Sequence, residues 1–497
     1  MCSIRSCRRF SVLLLVIVLV ASCTPSPEAN DIPITTASDN AKALFMQGRE
    51  AMEFGRDDEA RTLLDEAIAE DGTFALAYFY RALVATSASE WKANTDLATQ
   101  NRDQVSPGEQ YMIDMIPAFV AGDMEKRLSL AKALAEAYPK SPRAQLELAR
   151  AQQELDDVES ARATLEAALS LDASFSPSYR ALAVNYLFNE PKDFAQAENY
   201  ANTYVEQQPN LADAHIVLGD VYRAQLKLTN AREEYTRAAK DNPKSNIAFS
   251  KLGHSNTFLG NFAEARDDFA IASRNSEGPF KITSMNFAVY TWLYAGYPER
   301  ALEENTRVIN SIANHLDDPQ EQKQAALICY EERCRIAMEA DNLEAARVAL
   351  DMHAELRREQ SAVIGSPEFS NGIEASLAVL EGELALRSGD VSAAEEFADK
   401  AADFLKDNKG PRKMDEIQYL RGLIAHARGD HQAALDAFSL GNIDWVQVKF
   451  YMAQCEDALG NTEAAMALYK DVAEWNFNGL AYALVRGKAL TRYTPSF

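Results

Sequence analysis

The chain is ruled at intervals of about 34 residues. Ala161, Ala197, Ala231, Ala265 and Ala301 follow one another at spacings of 36, 34, 34 and 36. Around these marks, large apolar residues recur at helical spacing, the signature of one buried face. The stretch His215–Pro243, "HIVLGDVYRAQLKLTNAREEYTRAAKDNP", shows a whole unit. Leu218 and Tyr222 lie on one apolar face. Gly219 and Ala231 are small, so two helices can approach closely. Pro243 stops the second helix. A helix pair of this size cannot bury its apolar face alone, and stacking on neighbours completes the core. The sequence therefore specifies an all-α array.

The order of small and large residues resembles the tetratricopeptide repeat. It reads Leu218-Gly219-x-x-Tyr222, then Ala231, Tyr235, Ala238 and Pro243. It reads again as Phe249-x-x-Leu252-Gly253, then Ala265, Phe269 and Ala272. His215 and Phe249 stand where that family has tryptophan, and Asn256 where it has tyrosine. The resemblance implies an α-solenoid of about twelve helix–turn–helix units over Ala41–Trp475, with a capping helix near Leu480–Arg492. The array is expected to be regular over 40–280, with a divergent second unit around Ala75–Val105. It is expected to be less regular over 281–497, where the marks Ala346, Ala394, Ala434 and Ala465 drift and inserts such as "LRREQSAVIGSPEFSNG" intervene. Ser106, Ser141, Ser176 and Ser366 each precede a proline and are expected N-caps. Glu109 follows Ser106 by three residues, which suits a capping box.

The amino terminus has a different character. Val12–Val20 is an unbroken aliphatic run preceded by Arg5, Arg8 and Arg9. It is too short for a span, which needs about 20 residues. It reads as a secretory signal, residues 1–22. Val20-Ala21-Ser22-Cys23 resembles the lipobox of bacterial lipoproteins. That resemblance implies cleavage before Cys23 and lipid on its sulfur and amino terminus; the alternative is an ordinary signal cut near Ala21. Residues 23–39 are then a flexible tether, and the lipid makes the membrane a partner. The implied location is the bacterial cell envelope, with Thr24 pointing to the outer membrane.

The net charge is −24, and the signal carries three arginines and no acid, so the mature body is near −27. Such a body lacks the basic face that nucleic acid demands. Of six cysteines, Cys329, Cys334 and Cys455 remain in the array. They form no C-x-x-C pair and are expected to be free, buried small hydrophobes. The six histidines do not cluster with acids at metal spacing, and His215 takes a packing position. Neither a metal nor a cofactor is expected. Ser129-Leu130-Ala131-Lys132 and Ser38-Asp39-Asn40 imitate two motifs of penicillin-binding enzymes, but in reversed order and without the third. The sequence does not read as an enzyme.

Repeat arrays of this kind present an extended concave surface. In the resembling family, the second, fifth, ninth and twelfth residues of each first helix line it. Carried over, that rule places Arg143, Arg150, Arg180, Asp220 and Arg223 there, then His254, Tyr290, Glu331, Arg335, Glu383 and Tyr419. Arginine forks suit carboxylates, so an acidic protein segment is one expected ligand. The other reading is that these arginines pair with neighbouring acids such as Asp220 or Glu154. As a whole, the chain reads as a lipid-anchored scaffold for assembling envelope proteins. The alternative is a glycan-binding helical lipoprotein of an uptake system. That would need exposed aromatic platforms, and there are only four tryptophans, with Trp292 at a core position.

Overall fold

The computed structural model describes residues 31–475 and 479–495. The signal segment, Cys23 and residues 24–30 lie outside them. The described chain is twelve helix pairs and one last helix. The pairs begin with α1 (Asp39–Glu53) and α2 (Asp57–Glu70), α3 (Ala75–Leu83) and α4 (Ala88–Gln100), α5 (Pro107–Val120) and α6 (Met124–Ala137), α7 (Pro142–Glu154) and α8 (Val158–Leu171). They continue with α9 (Ser176–Phe188) and α10 (Phe194–Gln207), α11 (Ala212–Ala224) and α12 (Leu228–Asp241), α13 (Asn246–Phe258) and α14 (Phe262–Asn275), α15 (Phe280–Tyr294) and α16 (Pro298–His315). The last four are α17 (Pro319–Glu339) and α18 (Leu343–Ile364), α19 (Pro367–Arg387) and α20 (Val391–Phe404), α21 (Asp415–Ala427) and α22 (His431–Ser439), α23 (Val446–Leu459) and α24 (Thr462–Glu474). Helix α25 (Leu480–Leu490) closes the chain. No described helix is long and apolar enough to cross a membrane.

The small-residue marks do what the spacing predicts. Ala60, Ala161, Ala197, Ala231, Ala265, Ala301, Ala346, Ala394, Ala434 and Ala465 are all fully buried. They sit early in second helices, where the paired first helix presses closest. Gly219 shows why a small residue is needed on the facing side. A Cβ there would lie 2.4 Å from the Tyr235 ring. Ser106, Ser141 and Ser366 cap α5, α7 and α19, and Ser106 with Glu109 completes its capping box. Ser176 departs from expectation: Phe175 takes the N-cap position, and Ser176 is the buried first residue of α9.

The expected tether needs correcting over its second half. From Asp31 onward the chain is seated on the array. Ile32 is buried in the first core cluster. Ser141 Oγ donates to Asp31 Oδ1 at 2.5 Å. The Thr35 amide and hydroxyl both donate to Glu109, at 2.9 and 2.5 Å. The Thr36 hydroxyl donates to Asp71 at 2.6 Å, and Ser38 caps α1. The segment thus runs back over units four, three and two before entering unit one. Its polar residues satisfy helix starts, which a composition-based reading mistakes for solvation.

First helices of neighbouring units touch one another, as α9–α11, α11–α13, α15–α17 and α19–α21 do. They therefore lie on the inner side of the curve. The curve closes in about seven units, because unit two meets unit nine. There α4 packs on α17 and α18, and Thr86 Oγ1 donates to Glu321 at 2.7 Å. The next turn is stitched by Lys409–Asp123 at 2.9 Å, the Arg412–Asp156 pair, and Trp475 stacked on Phe194. Arrays are usually thought of as open; this one is wound tightly enough for its ends to enter its own groove.

Candidate functional site

The arginines expected in the groove are on the inner face, and each has an internal partner. Arg143 is buried and paired with Glu53 of α1, which reaches across the interior. Arg180 Nε lies 2.8 Å from Asp213, and Arg150 2.7 Å from Glu147. Asp220 accepts from Lys251 at 2.6 Å and from the Tyr235 hydroxyl at 2.7 Å. Arg223 is 1% exposed and lies 3.6 Å from Asp220. The second reading of these arginines is the one the geometry supports, with Glu53, Glu147 and Asp213 as the acids. Arg127 is the residue that holds Glu154, at 2.9 Å.

His254 is wedged between the Phe269 and Phe287 rings, 5.1 and 4.7 Å between centroids. Burial, with Arg223 and Lys251 beside it, holds its imidazole well below the usual range. It is a neutral core histidine. His215 is also buried in the core, with Nδ1 2.6 Å from Glu234 and Nε2 3.1 Å from the Pro209 carbonyl. Tyr290 is buried and donates to Glu332. Trp292 is not fully core: it is half-buried, with the Arg266 and Arg300 guanidiniums 4.4 and 5.4 Å from its ring.

The later-unit residues behave differently. Glu331, Arg335, Glu383 and Tyr419 come together in one cavity of about 610 Å³. Its walls are α17, α19, α21, α23 and α25. Arg335 donates to both oxygens of Glu383 at 2.8 and 2.7 Å. Lys488 of α25 reaches Glu339 at 2.7 Å. Leu386, Leu423 and Leu484 supply apolar wall, and Tyr419 and Tyr451 supply aromatic edge. Glu332 also lines the cavity. Burial, with Glu331 adding to it and Tyr290 opposing it, pushes its carboxyl up to about 8. A second cleft, of about 550 Å³, lies at the loop edge between the α1–α2 turn and the loops before α11 and α13.

The groove rule that finds Tyr419 also reaches His426, two turns further along α21. Helix α25 forms where expected but packs more widely. It was expected as an end cap for Trp475 and its neighbours. It does pack on α23 and α24, but also on α15, deep in the interior. Arg486 lies 3.9 Å from the Phe258 ring and donates to the Ala473 carbonyl at 3.1 Å. The amphipathic pattern of Leu480, Ala483 and Leu484 shows that the helix needs cover, not which surface gives it.

Residues 121–185 and 192–246 each match a family model described as tetratricopeptide repeat. The chain therefore contains tetratricopeptide repeats, in an all-α solenoid. Among curated proteins, none matches it. Many solved structures are similar to part of the array, among them the following three. One is a tetratricopeptide repeat protein from Parabacteroides merdae ATCC 43184, at 13% identity, covering 55% of this chain and 93% of that chain, with a TM-score of 0.33. Another is YrrB, a TPR protein with an unusual peptide-binding site, at 20% identity, covering 39% and 95%, with a TM-score of 0.27. The third is MamA 41-end from Desulfovibrio magneticus RS-1, at 19% identity, covering 34% and 94%, with a TM-score of 0.29.

Proposed function

We propose that the protein is a scaffold of the bacterial envelope, anchored by lipid on Cys23, which receives a segment of another protein in the cavity between α17, α19, α21, α23 and α25. Tetratricopeptide repeats support protein interaction as its task. The observation that carries the reading is the open cavity of mixed lining in the second turn of the groove. In the first turn the inner arginines are answered by Glu53, Glu147 and Asp213. In the second turn a cavity of peptide size remains, with apolar, aromatic and charged walls together. Such mixed lining is what anchors a peptide side chain and orients its backbone. An acidic ligand is no longer the favoured one there, since Glu331, Glu332, Glu339 and Glu383 share the lining with Arg335, Arg387 and Lys488. A segment with both apolar and basic residues fits better. The anchor rests on the Val20–Cys23 motif and the short apolar run before it.

Formaldehyde crosslinking of intact cells, followed by purification of the full chain, tests this reading. Defined protein adducts are expected from the wild type, and a several-fold loss of them with Cys23→Ala, which should also leave the membrane fraction. A chain that yields no protein adducts, or that yields the same ones wherever it is located, contradicts the proposal.

A further inference from the structure

Three side chains that the repeat pattern does not call for meet near the end of the second turn. His426 is in the last turn of α21, His431 is the first residue of α22, and Cys455 is on α23. One ligand atom of each lies within 4.8 Å of the other two. His426 Nδ1 is 3.4 Å from Cys455 Sγ, and the two imidazole rings are 5.4 Å apart. A tetrahedral zinc ion, with Zn–S near 2.3 Å and Zn–N near 2.05 Å, sets its sulfur and nitrogen ligands about 3.5 Å apart. The closest pair is already at that spacing. The rest of the triangle closes by rotation of an imidazole, roughly 1 Å of movement.

A second observation points the same way. His431 Nδ1 is out of reach of solvent and has no hydrogen-bond partner. Buried polar nitrogens are normally satisfied, and one that is not calls for a reason. Burial, and then the neighbouring His431, hold the His426 imidazole below its usual range.

We propose that His426, His431 and Cys455 bind one zinc(II) ion. Two imidazoles and a thiolate form a borderline-soft set that suits zinc and excludes magnesium and calcium, which take oxygen ligands. Without metal, burial pushes the Cys455 thiol up to about 11, so it carries its proton at neutral pH. Binding exchanges that proton for the metal: the S–H bond breaks, the Zn–S bond forms, and one proton leaves to solvent. Three protein ligands leave the fourth position to water. His426 also lines the 610 Å³ cavity, so the ion belongs to its wall. The inference stands on this cluster alone and does not depend on what the cavity receives.

Cobalt(II) titration of the metal-free full chain in detergent gives a direct test. One equivalent should produce a thiolate-to-cobalt charge-transfer band with visible ligand-field bands, and zinc should displace it. Cys455→Ser should abolish the charge-transfer band. His426→Gln and His431→Gln should each weaken zinc binding about tenfold or more. His315→Gln, at an exposed position, should change nothing. Circular dichroism verifies folding of each variant. His431, at the start of its helix, is the position least able to disturb packing, so its variant decides if Cys455→Ser does not fold. No charge-transfer band in the wild type, its persistence in Cys455→Ser, or unchanged affinity in His431→Gln overturns the proposal.

Discussion

The two turns of this solenoid fill the same kind of concave face by opposite means. In the first turn, the tip of α1 reaches inward and meets arginines with a carboxylate, Glu53 on Arg143. In the second turn, α25 lies in the interior and meets apolar surface: Leu480, Ala483 and Leu484 join the cluster of Ile282, Val289 and Ile336. Charge pairing is directional and holds the first-turn inner face, whose cleft of about 550 Å³ opens at the loop edge. Apolar packing of one helix against units of unequal length leaves gaps. Helices α17, α18 and α19 run 21, 22 and 21 residues, against 13–15 in the regular units. The length mismatch at this point accompanies the 610 Å³ cavity. Repeats alone therefore do not determine where an array binds. What fills the groove does.

If that contrast is right, removing the filler should cost most. Deleting Gly479–Phe497 strips α25 from both the α15 and α23 surfaces. Losing the burial of several leucine-, valine- and tyrosine-sized side chains should destabilise the second turn by on the order of 5 kcal/mol. Differential scanning calorimetry should show an early transition for this half, with association of the exposed array. A single unchanged transition would show that the interior placement of α25 contributes little.

In the first turn the sensitive element is a charge. Arg143→Ala leaves Glu53 buried without its partner, which should cost about 3–5 kcal/mol. Arg150→Ala should cost less than about 1 kcal/mol, because the Arg150 side chain is 42% exposed. Chemical denaturation separates the two. Equal effects would mean that the inner arginines are alike, and that the first turn is not held by charge.

The second turn carries a smaller, pH-dependent cost at Glu332. Burial raises this carboxyl to about 8 from its ordinary 4.5. A raised acid keeps its proton in the folded state while the unfolded chain loses it. Its contribution is whole below about pH 4.5 and is lost as the pH rises to about 8. Glu332→Gln should therefore stabilise the protein by ~1–3 kcal/mol at pH 8 and by little near pH 5. Melting curves at both values decide it. An equal shift at each pH would show that Glu332 is charged in the fold.

Much of this could be read from the sequence. Local signals carried the pairs: ten buried alanines, three of four serine caps, Gly219 against Tyr235, and the long inserts that become α17 to α19. The helix count came out as expected because each pair is specified within its own stretch of chain. What the sequence concealed is set by contacts across the windings. Glu53 and Arg143 are 90 residues apart. Lys488 and Glu339 are 149 apart. Whether a groove arginine is free depends on such distant acids, which no repeat position records. The N-terminal segment failed for a related reason. Its serines and threonines look solvated until Glu109 and Asp71 are known to lie beneath them. The histidine–cysteine cluster was closer to hand: His426 falls on the groove rule, and His431 and Cys455 follow on the next two helices.

The central claim is that a partner enters the second turn, while the first turn is closed by its own charges. Photo-crosslinking residues placed singly at Gln447, on the cavity wall, and at Arg150, on the first-turn inner face, test it in the native envelope. The account predicts adducts with another protein at Gln447 and none at Arg150. Adducts at Arg150 with none at Gln447 would place binding on the first-turn arginines and contradict it.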